Sequence, residues 1–507
     1  MIEKRKGGNG LYDIHVGYSK FMGLFTSLDR HIIPDEYLSA MSNLRRTMYG
    51  TIESVKAPQT WTTNLPAPLA PITSIQRPFT VYFDMAGACY NASGQLIAAG
   101  TGTSCGHHIV LYININASVE FNKGLINVDA GTAVPLCLVG FADADKAYSD
   151  ALTVSGSRMW FTFGTNKLRG SDIGDLEAED NGEGWGAWDG PNADIMVDLS
   201  MDGYITGLFD VGNYLLIFTP AKVYKMSPFN FEAGTQKVVI YEGPNLPTFF
   251  PHLIPMFFYS SAGIEYYITG DGFFMFDGSK PVKLSNALNV RGNIGFHVGA
   301  YDDRIWFLGL EAAKMAGEQH NPIYAVNLQT GVWEQYDIIM GDTKPANVTV
   351  DTPTSLFGGQ DASVVGRSDL LIGTSCGYVY QFKGGQTNTN VLPWSFSTKA
   401  FAPNSYDQPM QPVQVMIDYV EQAIQSPVTV TVQYDEDTPE TIVDEVTGVA
   451  PSFTMYGAGL AHLHRGFNTP ATRSCNSCTI TVSGTGPCNI LDIGLSFIAR
   501  DGGDSNP

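Results

Sequence analysis

The feature that most constrains the fold is a succession of short apolar runs, each ended by Gly, Asn or Asp, from about Arg77 onward. Val, Ile, Tyr and Phe dominate these runs and favour strands, whereas Gly, Asn and Asp favour tight turns. Helical periodicity is nearly absent over the same stretch. We therefore predict an all-β protein. Typical runs are Phe79–Phe83, Ile109–Ile113, Met159–Phe163, Tyr214–Phe218, Phe273–Phe276 and Arg304–Leu308.

The runs also recur as a unit, in which an aromatic-rich strand lies next to a tight turn and a second short strand. Thr269–Gly278, Ile323–Trp333 and Gly373–Gly384 are three such units, and the spacing is about 50 residues, as in propeller blades. A four-stranded blade cannot bury both faces alone, so blades stack around a common axis. Residues 77–388 have room for about six, and we predict a β-propeller there.

Beyond residue 388 the pattern changes to strands that largely alternate apolar and polar residues, such as Val428–Val432 and Cys478–Val482. Alternation indicates sheets with one buried and one wet face, so we predict a β-sandwich platform domain over residues 389–507. Residues 1–76 are predicted to form an N-terminal arm that packs on the platform. Within the arm, the segment that opens at Pro34 is predicted to be a short helix.

Charge and composition exclude several classes of protein. The chain has 507 residues and a formal charge of -21, which disfavours a protein that grips nucleic acid by neutralising phosphates. No apolar run approaches the roughly 18 residues of a membrane-spanning helix. The basic start leads into Gly7–Gly10 rather than an apolar segment, so we expect no secretory signal and a chain that stays in the cytoplasm at synthesis. Seven cysteines are an odd number and favour reduced thiols.

Two groups of residues have ligand chemistry. His462, His464, Cys475 and Cys478, with Cys488 nearby, are of types that zinc accepts, although exposed histidines and buried free thiols are the favoured interpretation and a Cys475–Cys478 disulfide is an alternative. The acidic Asp175–Asp194 loop has oxygen ligands for calcium but lacks the ordered spacing of a calcium loop. A solvated surface loop is favoured there, and its Trp185 and Trp188 suit a sugar or a subunit contact.

An enzyme or glycan-binding protein is the alternative class of function. A propeller glycosidase needs two or three carboxylates that converge at the axis. Ser171–Asp175 only partly matches the Asp box of sialidases, and the sequence has no phosphate-binding loop, zinc-protease or serine-hydrolase motif. The acidic residues available for such a site include Asp84, Asp172, Asp271 and Asp302.

The order of several short segments resembles β-propeller proteins of bacteriophage tails. Gly23–Pro34 followed by Met41–Gly50 is similar to the opening of such proteins. Further segments resemble their central blades and C-terminal part: Gly156–Phe161, Gly170–Asp175, Ile205–Leu208, Leu215–Thr219, Val223–Ser227, Thr269–Phe273, Phe276–Gly278, Asp303–Trp306 and Leu491–Leu495.

The resemblance implies a structural virion protein of the tail nozzle or tail-hub type of short-tailed phages. Such a protein forms a homohexameric ring below the head–tail adaptor, neighbours tail fibre or tail-tip proteins, and extends the channel that retains and ejects genomic DNA. It is made in the host cytoplasm and resides in the tail. The family is not enzymatic, so no catalytic, cofactor or metal residue carries over. The charge of -21 is compatible with a bore through which DNA passes without binding, although an ordinary acidic protein, whose charge serves solubility, is the favoured interpretation of the charge alone.

Overall fold

The computed structural model describes residues 5–6, 11–16, 21–60, 281–289, 297–308, 322–337, 352–360, 368–375, 378–382, 391–402, 409–420, 427–444, 453–454, 462–469 and 474–499, together with the strands named below between residues 72 and 276. Across this part of the chain almost every element is a strand, and a 3-10 turn at Ser285–Ala287 is the exception. No helix among these residues has the length and apolar character to cross a membrane.

Six short strands belong to the first 60 residues. They are β1 (Arg5–Lys6), β2 (Leu11–His15), β3 (Leu38–Ser42), β4 (Leu44–Arg46), β5 (Ile52–Ser54) and β6 (Gln59–Thr60). The prediction of a helix that begins at Pro34 is wrong. Tyr37 N donates to Pro34 O in a single turn, and Leu38 then pairs with Thr398 of a platform strand, so tertiary pairing overrides the local helix signal.

The middle of the chain forms four-stranded antiparallel sheets in the up-and-down order of propeller blades. The first three are β7–β10 (Ile72–Gln76, Val81–Asp84, Ala88–Asn91, Leu96–Ala99), β11–β14 (Thr101–Cys105, His108–Tyr112, Lys123–Asn127, Thr132–Pro135) and β15–β18 (Leu152–Ser155, Arg158–Thr162, Lys167–Gly170, Ile195–Asp198). The next three are β19–β22 (Gly207–Asp210, Leu215–Phe218, Lys222–Met226, Val239–Glu242), β23–β26 (Phe258–Ser261, Ile264–Thr269, Gly272–Phe276, Pro281–Lys283) and β27–β30 (His297–Tyr301, Arg304–Leu308, Ile323–Asn327, Trp333–Tyr336).

A seventh sheet closes the propeller with help from the arm. It contains β31 (Pro353–Gln360), β32 (Ser368–Thr374) and β33 (Val379–Phe382), and β6 of the arm adds its fourth strand through the pairs Tyr380–Thr60 and Gln381–Gln59. The first strands of several neighbouring blades contact one another, and β31 contacts β7, so the last blade lies against the first.

The predicted β-propeller is therefore confirmed, but the described residues form seven blades rather than about six. The first blade begins at Ile72, inside the segment predicted to be arm, and the second begins at Thr101, closer than the expected spacing. Strand β6 has only two residues, which is too short to show a periodic pattern in the sequence.

The predicted β-sandwich platform is also confirmed, and it consists of two sheets built from both chain ends. The first has the order β1-β2-β42-β35-β40-β38, with β5 on β42 and β4 on β5. The second has the order β3-β34-β41-β36-β37, with β39 also on β36. The C-terminal strands are β34 (Trp394–Thr398), β35 (Met410–Val420), β36 (Pro427–Tyr434), β37 (Glu440–Thr441), β38 (Val443–Asp444), β39 (Phe453–Thr454), β40 (His462–Asn468), β41 (Cys478–Gly484) and β42 (Asn489–Ala499).

The platform core lies between these two sheets, as the alternation predicts. Ile417 and Leu495 of the first sheet and Val430 and Val482 of the second are fully buried in one apolar cluster. The same cluster continues to Trp333 of the sixth blade. The platform and the propeller therefore share a core.

The sixth and seventh blades approach backbone to backbone at two glycines. A Cβ at Gly358 of β31 would lie 2.8 Å from Ala300 N and 2.9 Å from Ala300 O in β27. Gly299 faces Gly358 from the other strand. Contacts this short leave no room for a methyl group, so close packing of these first strands requires glycine.

We expect Gly358→Ala to lower the free energy of unfolding by about 1–3 kcal/mol, because the added methyl forces two backbones apart. Urea unfolding monitored by tryptophan fluorescence measures it. Ser355→Ala on the same strand is the control. The buried Ser355 hydroxyl has no hydrogen-bond partner among the described residues, so its removal is expected to be neutral or stabilising. Equal destabilisation by both variants would contradict the argument.

Candidate functional site

A buried carboxylate lies where the arm, the sixth blade and the platform meet. Glu334 belongs to β30, the outermost strand of its blade, and β30 contacts the arm strands β3 and β4. Its side chain is 0% exposed. An isolated carboxylate is expensive to bury, so its partners determine what the site does.

Four hydrogen bonds satisfy the Glu334 carboxylate. Arg304 Nε donates to Oε2 at 2.7 Å, and Arg304 Nη2 donates to Oε1 at 3.0 Å. Tyr336 OH donates to Oε2 at 2.7 Å. The backbone N–H of Arg46, in β4 of the arm, donates to Oε1 at 2.7 Å. The arm therefore contributes a hydrogen-bond donor to a carboxylate that belongs to the propeller.

The two arginines are tied to the arm as well. Arg304 Nη2 donates to the carbonyl of Arg46 at 2.9 Å, and Arg46 Nε donates to the carbonyl of Phe21 at 2.5 Å. Arg45, one residue earlier, donates to Glu53 Oε1 and Asp302 Oδ2, both at 2.6 Å. Asp302 lies in the turn between β27 and β28, so a second ion pair joins the same blade to the arm.

Burial and charge shift the pKa values at this site. Burial lowers the pKa of Arg304, but the attraction and hydrogen bonds of Glu334 outweigh it, so the net shift is upward. Burial lowers the pKa of Arg46, and the attraction of Glu334 offsets this only in part. Burial, followed by the negative charge of Glu334, raises the pKa of Tyr336 well above its ordinary value. The phenol therefore stays protonated and remains a donor to the carboxylate.

Backbone hydrogen bonds reinforce this junction. Leu24 N donates to Trp333 O at 2.9 Å, and Asn43 N donates to Gln335 O at 3.0 Å. The Asn43 side chain accepts from Asp337 N and donates to Asp337 O and Pro393 O. Asn43 has a φ of 56°, a left-handed conformation that Asn tolerates, and it turns the chain from β3 into β4. The site is buried and its polar groups are hydrogen-bonded across the junction, which suits a structural connection between the arm, the blade and the platform.

We expect Glu334→Gln to lower the free energy of unfolding by about 3–5 kcal/mol, because it leaves the buried Arg304 guanidinium without its anion. Chemical unfolding followed by far-UV circular dichroism measures the change. Tyr336→Phe removes one donor and keeps the charge pair, so a loss of about 1 kcal/mol is expected. If Glu334→Gln costs no more than Tyr336→Phe, the coupling role is refuted.

A second polar cluster lies on the outer face of the first platform sheet. His15 Nδ1 is 2.5 Å from Asp492 Oδ2, and the ring packs on Gly494, where a Cβ would lie 2.7 Å from Nδ1. The hydrogen bond to Asp492 raises the pKa of His15, burial opposes this, and the charges of Asp492, Asp13 and Asp418 raise it further. This histidine holds β2 of the arm to β42.

The stabilising effect of His15 depends on pH. A histidine with a raised pKa in the folded state stabilises the protein fully below its unfolded pKa of 6.5, and this contribution is lost as the pH rises through the folded value. We therefore expect the stability difference between wild type and His15→Asn to shrink as the pH rises above 6.5. Unfolding titrations from acidic to alkaline pH measure it. Asp492→Asn should remove the same pH dependence, and a difference that grows with pH would contradict the assignment.

The structure does not bring the zinc candidates together. His462 pairs with Val420 and His464 with Asp418 on β35, whereas Cys475 bridges Met410 at the other end of that strand. Cys475, Cys478 and Cys488 are buried free thiols, and burial raises the pKa of Cys478 and of Cys488. Neutral thiols are poor metal ligands. Among the residues that the structure describes, no group of three or more His, Cys, Asp or Glu side chains is placed to hold a metal.

The other candidate residues are placed only in part. The Asp175–Asp194 loop, with Trp185 and Trp188, lies outside the described residues, as do Asp172 and Asp271. Asp84 ends strand β8. The Asp302 carboxylate is engaged by Arg45 of the arm.

Sequence reasoning missed Glu334, although one signal was present. A glutamate stands between Trp333 and Tyr336 in a short aromatic strand, where a charged residue is unusual. Two of the segments that resemble phage tail proteins, Met41–Gly50 and Asp303–Trp306, supply the arginines that meet at this carboxylate. The partnership is invisible in sequence because its members lie far apart in the chain.

Comparison with known proteins gives structural neighbours only. No protein-family model matches the sequence, and no curated protein does. PorZ, a surface component of the type-IX secretion system of Porphyromonas gingivalis, matches with a TM-score of 0.33 and 10% identity over 71% of this chain, and the match spans 44% of PorZ.

Two fungal proteins are also similar in structure. Sqt1 of Chaetomium thermophilum, bound to the N-terminus of ribosomal protein L10, has a TM-score of 0.37 and 11% identity over 72% of this chain and all of its own. The WD40 domain of Neurospora crassa Pan2 has a TM-score of 0.35 and 10% identity over 63% of this chain and 91% of its own. WD40 domains are β-propellers. The propeller assignment here depends on the sheet topology.

Proposed function

We propose that this chain is a structural subunit of a bacteriophage tail, of the nozzle or hub type. In this proposal it forms a homo-oligomeric ring, a hexamer, that extends or closes the channel through which genomic DNA is retained and ejected. Its neighbours in the virion are further copies of itself, the head–tail adaptor, and tail fibre or tail-tip proteins. The resemblance of the segments from Gly23 to Leu495 motivates this assignment.

The observation that supports the proposal best is the coupling of the propeller to the platform. The arm donates strands to both platform sheets and to the seventh blade, and it caps the buried Glu334 of the sixth blade. A subunit that bears load along a channel needs two modules that do not rotate freely. Ordinary inter-domain contacts permit relative motion, whereas a shared apolar core and a buried charge network oppose it.

Charge is compatible with the same role. With 29 basic and 50 acidic residues per chain, the net charge is -21, and six copies would carry six times that. A ring of such subunits repels the phosphate backbone of DNA. It has few lysine and arginine side chains that could bind the phosphates. DNA would then move through the bore without being retained by specific contacts.

We expect electron cryomicroscopy of the virus particle that contains this protein to show sixfold rings stacked along the tail axis. The bore should be acidic and wide enough for a DNA duplex. A monomeric protein that occurs in no particle and has an axial pocket lined by carboxylates would contradict the proposal. That outcome would favour a glycan-binding protein or a glycoside hydrolase instead.

A further inference from the structure

The arm runs from the core of the platform into the core of the propeller within three residues. Ile52 of β5 is fully buried in the apolar cluster of the platform. Val55 is also fully buried, but in a second apolar cluster, whose other members come mostly from the sixth and seventh blades, and Ala57 packs against that cluster. Three residues span at most about 10 Å, so a displacement of the chain in one core disturbs the other. We call residues 52–60 the strap.

The first end of the strap is bound to the platform strand β42 and to the residue before it. Ile52 pairs with Ile490 of β42. Ser54 N donates to Cys488 O at 3.1 Å, and Cys488 N donates to the Ser54 hydroxyl at 3.0 Å. Both residues are buried, so water does not replace these hydrogen bonds when they are lost. The platform therefore fixes the position of the strap at Ser54.

The second end of the strap completes the seventh blade. Gln59 and Thr60 form β6, which pairs with Gln381 and Tyr380 of β33 and is the outermost described strand of that blade. A strand of two residues is weak by itself. Its place on β33 therefore depends on the part of the strap that precedes it.

The middle of the strap lies beside the segment by which the chain leaves the propeller. Leu392 N donates to Val55 O at 3.1 Å, and Lys56 pairs with Val391 in an antiparallel bridge. Val391 and Leu392 lie between β33 of the last blade and β34 of the platform. The entering and leaving segments of the chain therefore support each other where the two modules meet.

The position of β6 in the chain makes its pairing part of the closure of the propeller. The strand belongs to the seventh blade, but the chain continues from it into β7 of the first blade. Pairing of β6 with β33 therefore joins the last blade to the chain of the first, and the contact of β31 with β7 joins the same two blades through their first strands. Loss of β6 would leave the seventh blade with three of its four strands.

We propose that the strap is a conformational device through which the platform controls the closure of the propeller. While β5 stays on β42, β6 stays on β33. When β5 leaves the platform, β6 leaves with it, and the closure between the last blade and the first weakens. The inference goes beyond the proposed function and applies to a single chain, whether or not that chain forms a ring.

Amide hydrogen exchange of the full chain, followed by mass spectrometry, tests the proposal with Ser54→Ala. The variant leaves the buried Cys488 N–H without its acceptor, so we expect exchange at residues 378–382 of the seventh blade to become about tenfold faster. Ser285→Ala is the matched control, because the buried Ser285 hydroxyl likewise accepts a backbone N–H, that of Phe273 in the fifth blade, at 3.0 Å. Unchanged exchange at residues 378–382 in Ser54→Ala, or equal acceleration there by both variants, overturns the proposal.

A disulfide lock tests the coupling in the reverse direction without weakening the platform. Gln59→Cys with Gln381→Cys places two thiols at directly paired positions of β6 and β33. Coupling between two sites is reciprocal, so oxidation of this variant should slow exchange at Ile52–Ser54 by at least about fivefold, and reduction should reverse the effect. Wild type, oxidised and reduced in parallel, controls for the native cysteines. Oxidation that slows exchange at residues 378–382 and leaves Ile52–Ser54 unchanged overturns the proposal.

Discussion

The Glu334 carboxylate holds the molecule together at the point where its three parts meet. It belongs to the propeller, accepts a backbone hydrogen bond from the arm, and lies in a junction whose other hydrogen bonds reach the platform at Pro393. A buried carboxylate of this kind needs its cation, because loss of Arg304 would leave an uncompensated ion. The network therefore accepts one relative placement of arm and blade.

That constraint explains why the arm can serve several sheets at once. Between Leu38 and Thr60 it pairs with β34 in one platform sheet, with β42 in the other, and with β33 in the seventh blade. Each pairing is short, and a strand of two or three residues is weak by itself. The pairings are held in register because the buried junction fixes the segment between them.

The histidines and cysteines that resemble metal ligands in the sequence did not indicate the site at Glu334. His464 and Cys475 are separated by strand register, since one pairs with Asp418 and the other bridges Met410 at the opposite end of β35. Ligand types close in sequence do not converge when a long strand lies between their partners. Glu334 has no motif around it, and its significance comes from Arg46 and Arg304, which the chain brings from distant positions.

The sequence by itself determined the all-β class, the propeller and the alternating platform strands, because periodicity and turn residues act over a few positions. It also determined the acidic charge, which follows from composition alone. Only the tertiary structure decided the seventh blade, the strand in place of a helix after Pro34, and the partners of Glu334. These depend on contacts between residues hundreds of positions apart, such as Tyr380 with Thr60, and on burial, which turns a glutamate of ordinary local context into the anchor of the junction.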